Sequence, residues 1–133
     1  ALADTIEATC RKQHGLPAKQ MVEALIECYW RAKTERADVT RALYRSVAEL
    51  DNEALIEAFA ARADAATRAM LASASDLDTQ DLETISRTLL TVIFGSVRNA
   101  FERNLDEAAA RQLRNHLAVM CGALLDNRSG RLA

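Results

Sequence analysis

The residues of this chain that could coordinate a metal are few and scattered. Cys10 and His14 are four positions apart, a spacing that places two side chains on one face of a helix. A zinc site needs three or four ligands, and the second histidine, His116, is distant in the sequence. These ligands are too few and too scattered to predict a metal site. The ordinary interpretation of Cys10 and His14 is a buried cysteine and a surface histidine.

The hydroxyl groups are no better placed for catalysis. Nucleophilic catalysis needs a nucleophile, a base and an orienting group close together. Ser46, Ser86 and Ser96 have no histidine near them in the sequence, and no glycine-rich phosphate loop is present. We therefore expect no enzymatic activity, no catalytic residue and no cofactor.

The aromatic residues indicate a different chemistry, the binding of an apolar or aromatic small molecule. Aromatic side chains usually fill a core, but rings combined with a few polar groups also line ligand pockets. The candidate ligand-binding residues are Tyr29, Tyr44, Phe59, Met70, Thr91 and Phe94. Further polar groups for such a pocket are offered by Arg62, Thr67, Arg87 and Thr88.

Helices must position these residues, because no segment has the alternation of a strand. The chain has only 4 glycines and 1 proline, which disfavours turn-rich β-structure. The periodicity predicts an all-α bundle of about six helices. Four precede the C-terminal pair: residues 2–13, ended by Gly15; residues 17–36, opened by Pro17; a short helix with Val39, Leu43, Tyr44 and Val47; and residues 52–73.

The last two helices carry more apolar surface than one small core needs. The first of them, capped by Asp78 or Thr79, has an apolar arc of about 200°, twice the usual stripe. A short break at 104–106 separates it from the final helix, which predicts an antiparallel hairpin that dimerises as a four-helix bundle. The candidate dimer-interface residues are Gly95, Val97, Phe101, Leu113, Leu117, Met120, Gly122 and Leu124.

Length and charge limit the other functions. The 133 residues suit a single domain spanning 1–133. The net charge of −2, with acids and bases interspersed, does not provide the basic face of a DNA-binding domain. The 3 cysteines form no disulfide framework and suit the cytoplasm. No run is long enough to span a membrane, and no signal peptide is evident.

The order of these segments resembles the C-terminal domain of TetR/AcrR-type transcriptional repressors. "ALADTIEATCRKQHG" is similar to the helix that follows the DNA-binding domain in that family. "LETISRTLLTVIFGSVRNAFER" followed by "DEAAARQLRNHLAVMCGALL" is similar to its last two helices, including the glycine near the middle of the first. Each motif is weakly specific alone, and their order and spacing make the resemblance.

The resemblance implies an effector-binding and homodimerisation domain. In such repressors, a small molecule in the helical core relieves DNA binding by an N-terminal helix-turn-helix domain. This sequence contains no helix-turn-helix, so we expect contact with operator DNA only through the missing N-terminal domain. The alternative is a helical adaptor that has no small-molecule ligand. The resemblance names neither the effector nor the operator.

Overall fold

The computed structural model describes residues 2–35, 53–78 and 80–126, and these form five α-helices. They are α1 (Leu2–Lys12), α2 (Ala18–Thr34), α3 (Glu53–Ala72), α4 (Leu82–Glu102) and α5 (Glu107–Asp126). No strand occurs in the described ranges, so the all-α prediction is confirmed. The short helix predicted around Val39–Val47 lies outside the described residues, as does the C-terminal tail.

Two turns at one end of the bundle are joined to each other. Gly15 adopts a φ of +82°, the left-handed conformation predicted to end the first helix. Its N–H donates to Ser73 Oγ at 3.0 Å, and the Ala18 N–H donates to Asp76 Oδ1 at 2.8 Å. Asp76 therefore caps the start of α2 from the α3–α4 loop, because Pro17 has no side-chain group that could do so.

The helix α4 begins later than the sequence suggested. Asp78 does not cap it, because Asp78 Oδ1 accepts a hydrogen bond from the Gln80 N–H at 2.9 Å within the loop. Asp81 precedes the first helical residue in the left-handed conformation and makes no side-chain cap. The prediction that Asp78 caps this helix was wrong, and Thr79 lies outside the described residues.

The final helix α5 packs mainly on α2. Asn104, with a φ of +52°, turns the chain after α4, and Asp106 Oδ1 accepts from the Ala109 N–H at 2.8 Å to cap α5. The short break predicted at 104–106 is therefore a tight turn. After it α5 crosses to α2, and its contact with α4 is the smaller one. The last two helices are neighbours in the chain rather than a closely packed pair.

The core explains the wide apolar arc of α4 within one chain. α4 packs against α3 and also contacts α2 and α5. Its residues Leu89, Ile93 and Val97 are almost completely buried together with Met21 and Leu25 of α2. An arc of about 200° is what a helix needs when it has neighbours on several sides. The arc therefore does not require a second copy of the chain.

Candidate ligand-binding site

Three of the predicted ligand-binding rings meet in the structure. The Tyr29 and Phe94 rings are stacked, with centroids 4.1 Å apart and planes at 18°. Phe59 also packs against Phe94, with ring centroids 5.6 Å apart and a tilt of 38°. Tyr29 is buried, whereas Phe59 and Phe94 are half-buried. We call Tyr29, Phe59 and Phe94 the aromatic cluster; it joins α2, α3 and α4.

A cation lies beside this cluster. The Lys33 ammonium is 5.1 Å from the centroid of the Tyr29 ring, one helical turn further along α2. Lys33 is 8% exposed, which is unusual for a lysine. A desolvated ammonium over an aromatic face is stabilised by the ring quadrupole. The Lys33 ammonium thus lies at one side of the aromatic cluster, against the Tyr29 ring.

Two further predicted ligand-binding residues, Met70 and Thr91, do not join the cluster. Met70 is fully buried, but it lies eleven residues after Phe59, about 16 Å along α3. Thr91 is exposed, and its hydroxyl donates to the Arg87 carbonyl oxygen at 2.7 Å. Tyr44 lies outside the described residues. Of the five predicted residues that the structure describes, three therefore meet, and Thr91 lies on the outer surface of α4.

The other proposed polar groups are mostly engaged at the surface. Arg62 joins α3 to α1 through Asp4 Oδ1 at 2.7 Å and Glu7 Oε1 at 2.6 Å. This guanidinium holds the pKa of Asp4 and of Glu7 below their ordinary values, chiefly by hydrogen bonding. Arg87 contacts Glu83 at 3.4 Å on the exposed side of α4. Neither arginine reaches the aromatic cluster in this arrangement.

Two buried hydroxyls stand apart from this pattern. Thr67 on α3 is 0% exposed and Ser86 on α4 is 1% exposed. Ser86 Oγ has no hydrogen-bond partner among the described residues, and the one partner of Thr67 Oγ1 there is the Cys10 thiol, a weak one. The sequence offered Thr67 as one of several polar groups, but it gave no reason to select Ser86. Nothing in the spacing of serines and threonines separates buried hydroxyls from exposed ones.

The Cys10 thiol lies next to Thr67. Burial is the main cause that raises the pKa of Cys10 to about 11, and the Thr67 hydroxyl opposes this by favouring the thiolate. The thiol is therefore neutral near pH 7, and a neutral thiol is a weak hydrogen-bond partner. Cys28, also buried, accepts from the Thr9 hydroxyl at 3.2 Å. In the described part of the chain, no group of three or more possible metal ligands comes together.

Comparison with known proteins gives one match. The chain matches the family described as Tetracyclin repressor-like, C-terminal domain, over residues 17–125. The chain belongs to this family. No curated protein and no solved structure was found to match it. The suspected relationship to TetR-type regulators is therefore confirmed at the level of the family, which is regulatory rather than catalytic.

In this TetR-like domain, several of the predicted dimer-interface residues are covered by their own chain. Val97 is 0% exposed and Leu117 is 2% exposed. A Cβ atom added to Gly122 would meet Lys19 Cγ at 3.9 Å, so this glycine faces α2. Phe101, Leu113 and Leu124 are half-buried. The interface stays a prediction, and the surface open to a partner is narrower than the sequence suggested.

The open part of that surface lies on α5 and α4. We call Leu117, Cys121 and Leu125 the inner face of α5 and Val119 and Met120 its outer face. Val119 is 68% exposed and Met120 is 61% exposed, the largest exposures among the big apolar side chains described. Gly95 on α4 is also exposed, with no atom within 4 Å of an added Cβ.

A small cleft lies where α2, α4 and α5 meet in the TetR-like domain. Its volume is about 70 Å³, and it is lined by Trp30, Ala100, Phe101, Asn104, Leu105 and Ala110. The Arg114 guanidinium lies 5.2 Å from the Trp30 ring centroid and contacts Glu27 at 3.3 Å. Pockets for drug-sized ligands measure roughly 300–1,000 Å³, so this cleft is too small for one.

Proposed function

We propose that this chain is the effector-binding and homodimerisation domain of a cytoplasmic TetR-type transcriptional repressor. The family match over residues 17–125 is the observation that carries the proposal. An apolar or aromatic small molecule bound in the helical core relieves DNA binding by a helix-turn-helix domain that is not among these residues. Operator DNA is contacted through that domain alone.

The aromatic cluster supports the sensing part of the proposal. Tyr29, Phe59 and Phe94 come from three helices, so a ligand that separates or replaces these ring contacts changes how the helices pack. Cores are densely packed and respond to a new group by shifting whole elements.

None of the described helices is long and apolar enough to cross a membrane.

Ligand binding is tested by thermal unfolding of the chain with a library of apolar and aromatic compounds. A compound present at about 100 times its Kd adds about 2.7 kcal/mol to the free energy of unfolding. Phe59→Trp should weaken the binding of any such compound, because the larger ring occupies space beside Phe94. Stabilisation by no compound of the library would contradict the sensing function.

Dimerisation is tested separately by light scattering at micromolar concentration. The expected mass is twice the 14.6 kDa of one chain. The exposed outer face of α5 supports this expectation, because exposed Val and Met side chains side by side are suited to burial against a partner. A mass of one chain throughout the concentration range would contradict the dimer.

One observation favours the alternative, a helical adaptor without a ligand. The Tyr29 and Phe94 rings already stack on each other at 4.1 Å, so the facing surfaces of these two rings are not open to a ligand. An adaptor dimerises in the light-scattering experiment and is stabilised by no compound of the library. In either case, a gel shift with duplex DNA should show no salt-sensitive complex, because the charge balance of the chain gives no phosphate-binding face.

A further inference from the structure

The cleft at the junction of α2, α4 and α5 is separate from the aromatic cluster. Phe101, which lines the cleft, lies seven residues after Phe94 on α4, about 10 Å further along the helix axis. Two other lining residues, Ala100 and Ala110, are buried, and their short side chains leave space that longer ones would fill. The cleft therefore uses residues other than those of the proposed effector contact.

The volume of the cleft sets the size of its occupant. A dry apolar cavity of about 150 Å³ holds benzene, which has six carbon atoms. In proportion, the 70 Å³ of this cleft accommodates roughly three carbon atoms. The cleft is open to solvent on one side, so the rest of a ligand can remain outside it.

The walls of the cleft suit an alkyl group. The Trp30 and Phe101 rings have centroids 5.5 Å apart and are tilted by 42°, and Leu105 lines the cleft beside them. The backbone donors of the turn are engaged, because the Asn104 N–H donates to the Phe101 carbonyl oxygen and the Leu105 N–H to the Ala100 carbonyl oxygen, both at 3.2 Å. Apolar walls of this volume fit a branched group such as isopropyl.

A guanidinium lies beside the cleft. Arg114 is one helical turn after Ala110 on α5, and its guanidinium carbon is 5.2 Å from the centroid of the Trp30 ring. Arg114 Nη1 donates to Glu27 Oε2 at 3.3 Å, whereas the buried Nε has no hydrogen-bond partner among the described residues. Leaving a buried N–H of a charged group unpaired is costly. The Nε–H is thus a donor whose acceptor the described part of the chain does not supply.

The charged groups beside the cleft favour an anion. Glu27 is the carboxylate of both Arg31, at 3.6 Å, and Arg114, so two positive charges face one negative charge. The turn next to the cleft adds Arg103 and Asp106, one charge of each sign. A carboxylate matches the planar fork of a guanidinium better than other small anions do.

We propose that this cleft binds a short branched-chain carboxylate, with its alkyl group against Trp30 and Phe101 and its carboxylate at Arg114. Isobutyrate is the simplest such molecule, because its isopropyl group has the three carbon atoms that the cleft accommodates. The site goes beyond the proposed effector contact and does not depend on it.

The test uses isobutyrate and three matched probes. Isobutyramide has the same shape without the charge, isobutylamine carries the opposite charge, and cyclohexanecarboxylate keeps the charge with an alkyl group too large for the cleft. Trp30 is the only tryptophan of the chain, so its indole N–H gives a single signal in a ¹H–¹⁵N NMR spectrum. Chloride keeps the ionic strength constant throughout each titration.

We expect isobutyrate to move the Trp30 signal with a Kd on the order of 1 mM, as suits a ligand with few heavy atoms. It should bind roughly tenfold more tightly than isobutyramide, the difference between a charge-assisted and a neutral hydrogen bond. Isobutylamine and cyclohexanecarboxylate should leave the signal where chloride leaves it.

Two pairs of variants separate the alkyl contact from the charge. Ala110→Val fills the cleft and should abolish the binding of isobutyrate, whereas Ala108→Val, at an exposed position of the same helix, should leave it unchanged. Arg114→Gln should remove the preference for isobutyrate over isobutyramide. Arg111→Gln, whose parent side chain pairs with Glu107 at 3.6 Å, should preserve that preference.

Three results would overturn the inference. The first is a Trp30 signal that isobutyrate does not move at about fifty times the expected Kd. The second is equal binding of acid and amide, or a preference that survives in Arg114→Gln, because either removes the role of the guanidinium. The third is equal binding to Ala110→Val and Ala108→Val, which places the ligand outside the cleft. The compound library and the light scattering test the proposed function separately.

Discussion

The two faces of α5 carry apolar residues for different reasons. The inner face is buried against the chain itself, with Leu117 only 2% exposed, whereas Met120 on the outer face is 61% exposed. The residue types are similar and lie within one turn of each other. Hydrophobicity and spacing therefore place both faces on a helix, but they do not say which face meets α2 and which is left for a partner.

The largest expected effect is on the inner face. Leu117→Glu introduces a carboxylate into a site that gives it no counter-charge and no water, which costs at least about 4 kcal/mol. Domains of this kind are stable by roughly 5–15 kcal/mol, so the variant should be largely unfolded by circular dichroism. A folded variant that is merely monomeric would place Leu117 at the partner interface instead.

The matched change on the outer face should separate folding from association. In a single chain the side chain at position 120 is exposed to solvent, so Met120→Glu should not disturb the fold. The circular dichroism spectrum and the unfolding of the monomeric variant should therefore resemble those of the parent. If Val119 and Met120 meet a second copy, buried like charges oppose association, and light scattering should give the mass of one chain at micromolar concentration. A dimer that is unchanged in this variant would show that the dimer interface does not include the outer face of α5.

The buried thiol on α1 should make the protein sensitive to alkali. Burial raises the pKa of Cys10 to about 11 from an ordinary value of 9.0. Below pH 9 both folded and unfolded chains hold the proton, so there is no effect. As the pH rises from 9 to 11, the unfolded chain ionises first, and stability is lost. Thermal midpoints measured across this range should fall less steeply for Cys10→Ala than for the parent.

A smaller effect is expected at Gly95 on the outer side of α4. An added Cβ meets no atom within 4 Å, so Gly95→Ala should stabilise the monomer by up to about 1 kcal/mol through reduced backbone entropy in the unfolded chain. Urea unfolding measures this gain. If another backbone approaches Gly95 closely in the dimer, the same substitution should weaken association while it stabilises the helix, and dilution experiments would reveal the loss.

The smallest effect is expected at the Arg62 contacts, which lie on the outside of α1 and α3. Arg62 lowers the pKa of Asp4 and Glu7, so its contribution is present at neutral pH and is lost as the pH falls through the range below 3.8–4.5. Arg62→Met should therefore lower the unfolding temperature slightly at pH 7 and less at pH 3. Arg87→Met, which removes an ion pair within α4 alone, is the control.

Local sequence rules located the helices of the described residues well. The predicted helix of residues 2–13 is observed as Leu2–Lys12, and the stop at Gly15 follows from its freedom to adopt a positive φ. The start of α4 was misplaced because Asp78 satisfies the loop rather than the helix. A carboxylate near a helix start has several backbone N–H groups within reach, and the conformation of the loop decides which of them donates to it.

The partners of each face were harder to predict than the faces themselves. The wide arc of α4 was interpreted as room for a second copy, but three helices of the same chain contact this helix. Thr91 was assigned to the pocket, but a threonine on a helix can satisfy its hydroxyl on its own backbone, as it does at 2.7 Å from the Arg87 carbonyl oxygen. Pairwise placement of helices is a long-range property that periodicity does not contain.

The position of α5 on α2 gives the molecule a short mechanical linkage. α2 carries Tyr29 of the aromatic cluster, and the same helix is the main support of α5. Densely packed side chains transmit a displacement instead of absorbing it. A ligand that displaced α2 at Tyr29 would therefore also displace the outer face of α5, and Phe94, which stacks on Tyr29, would carry part of the displacement into α4.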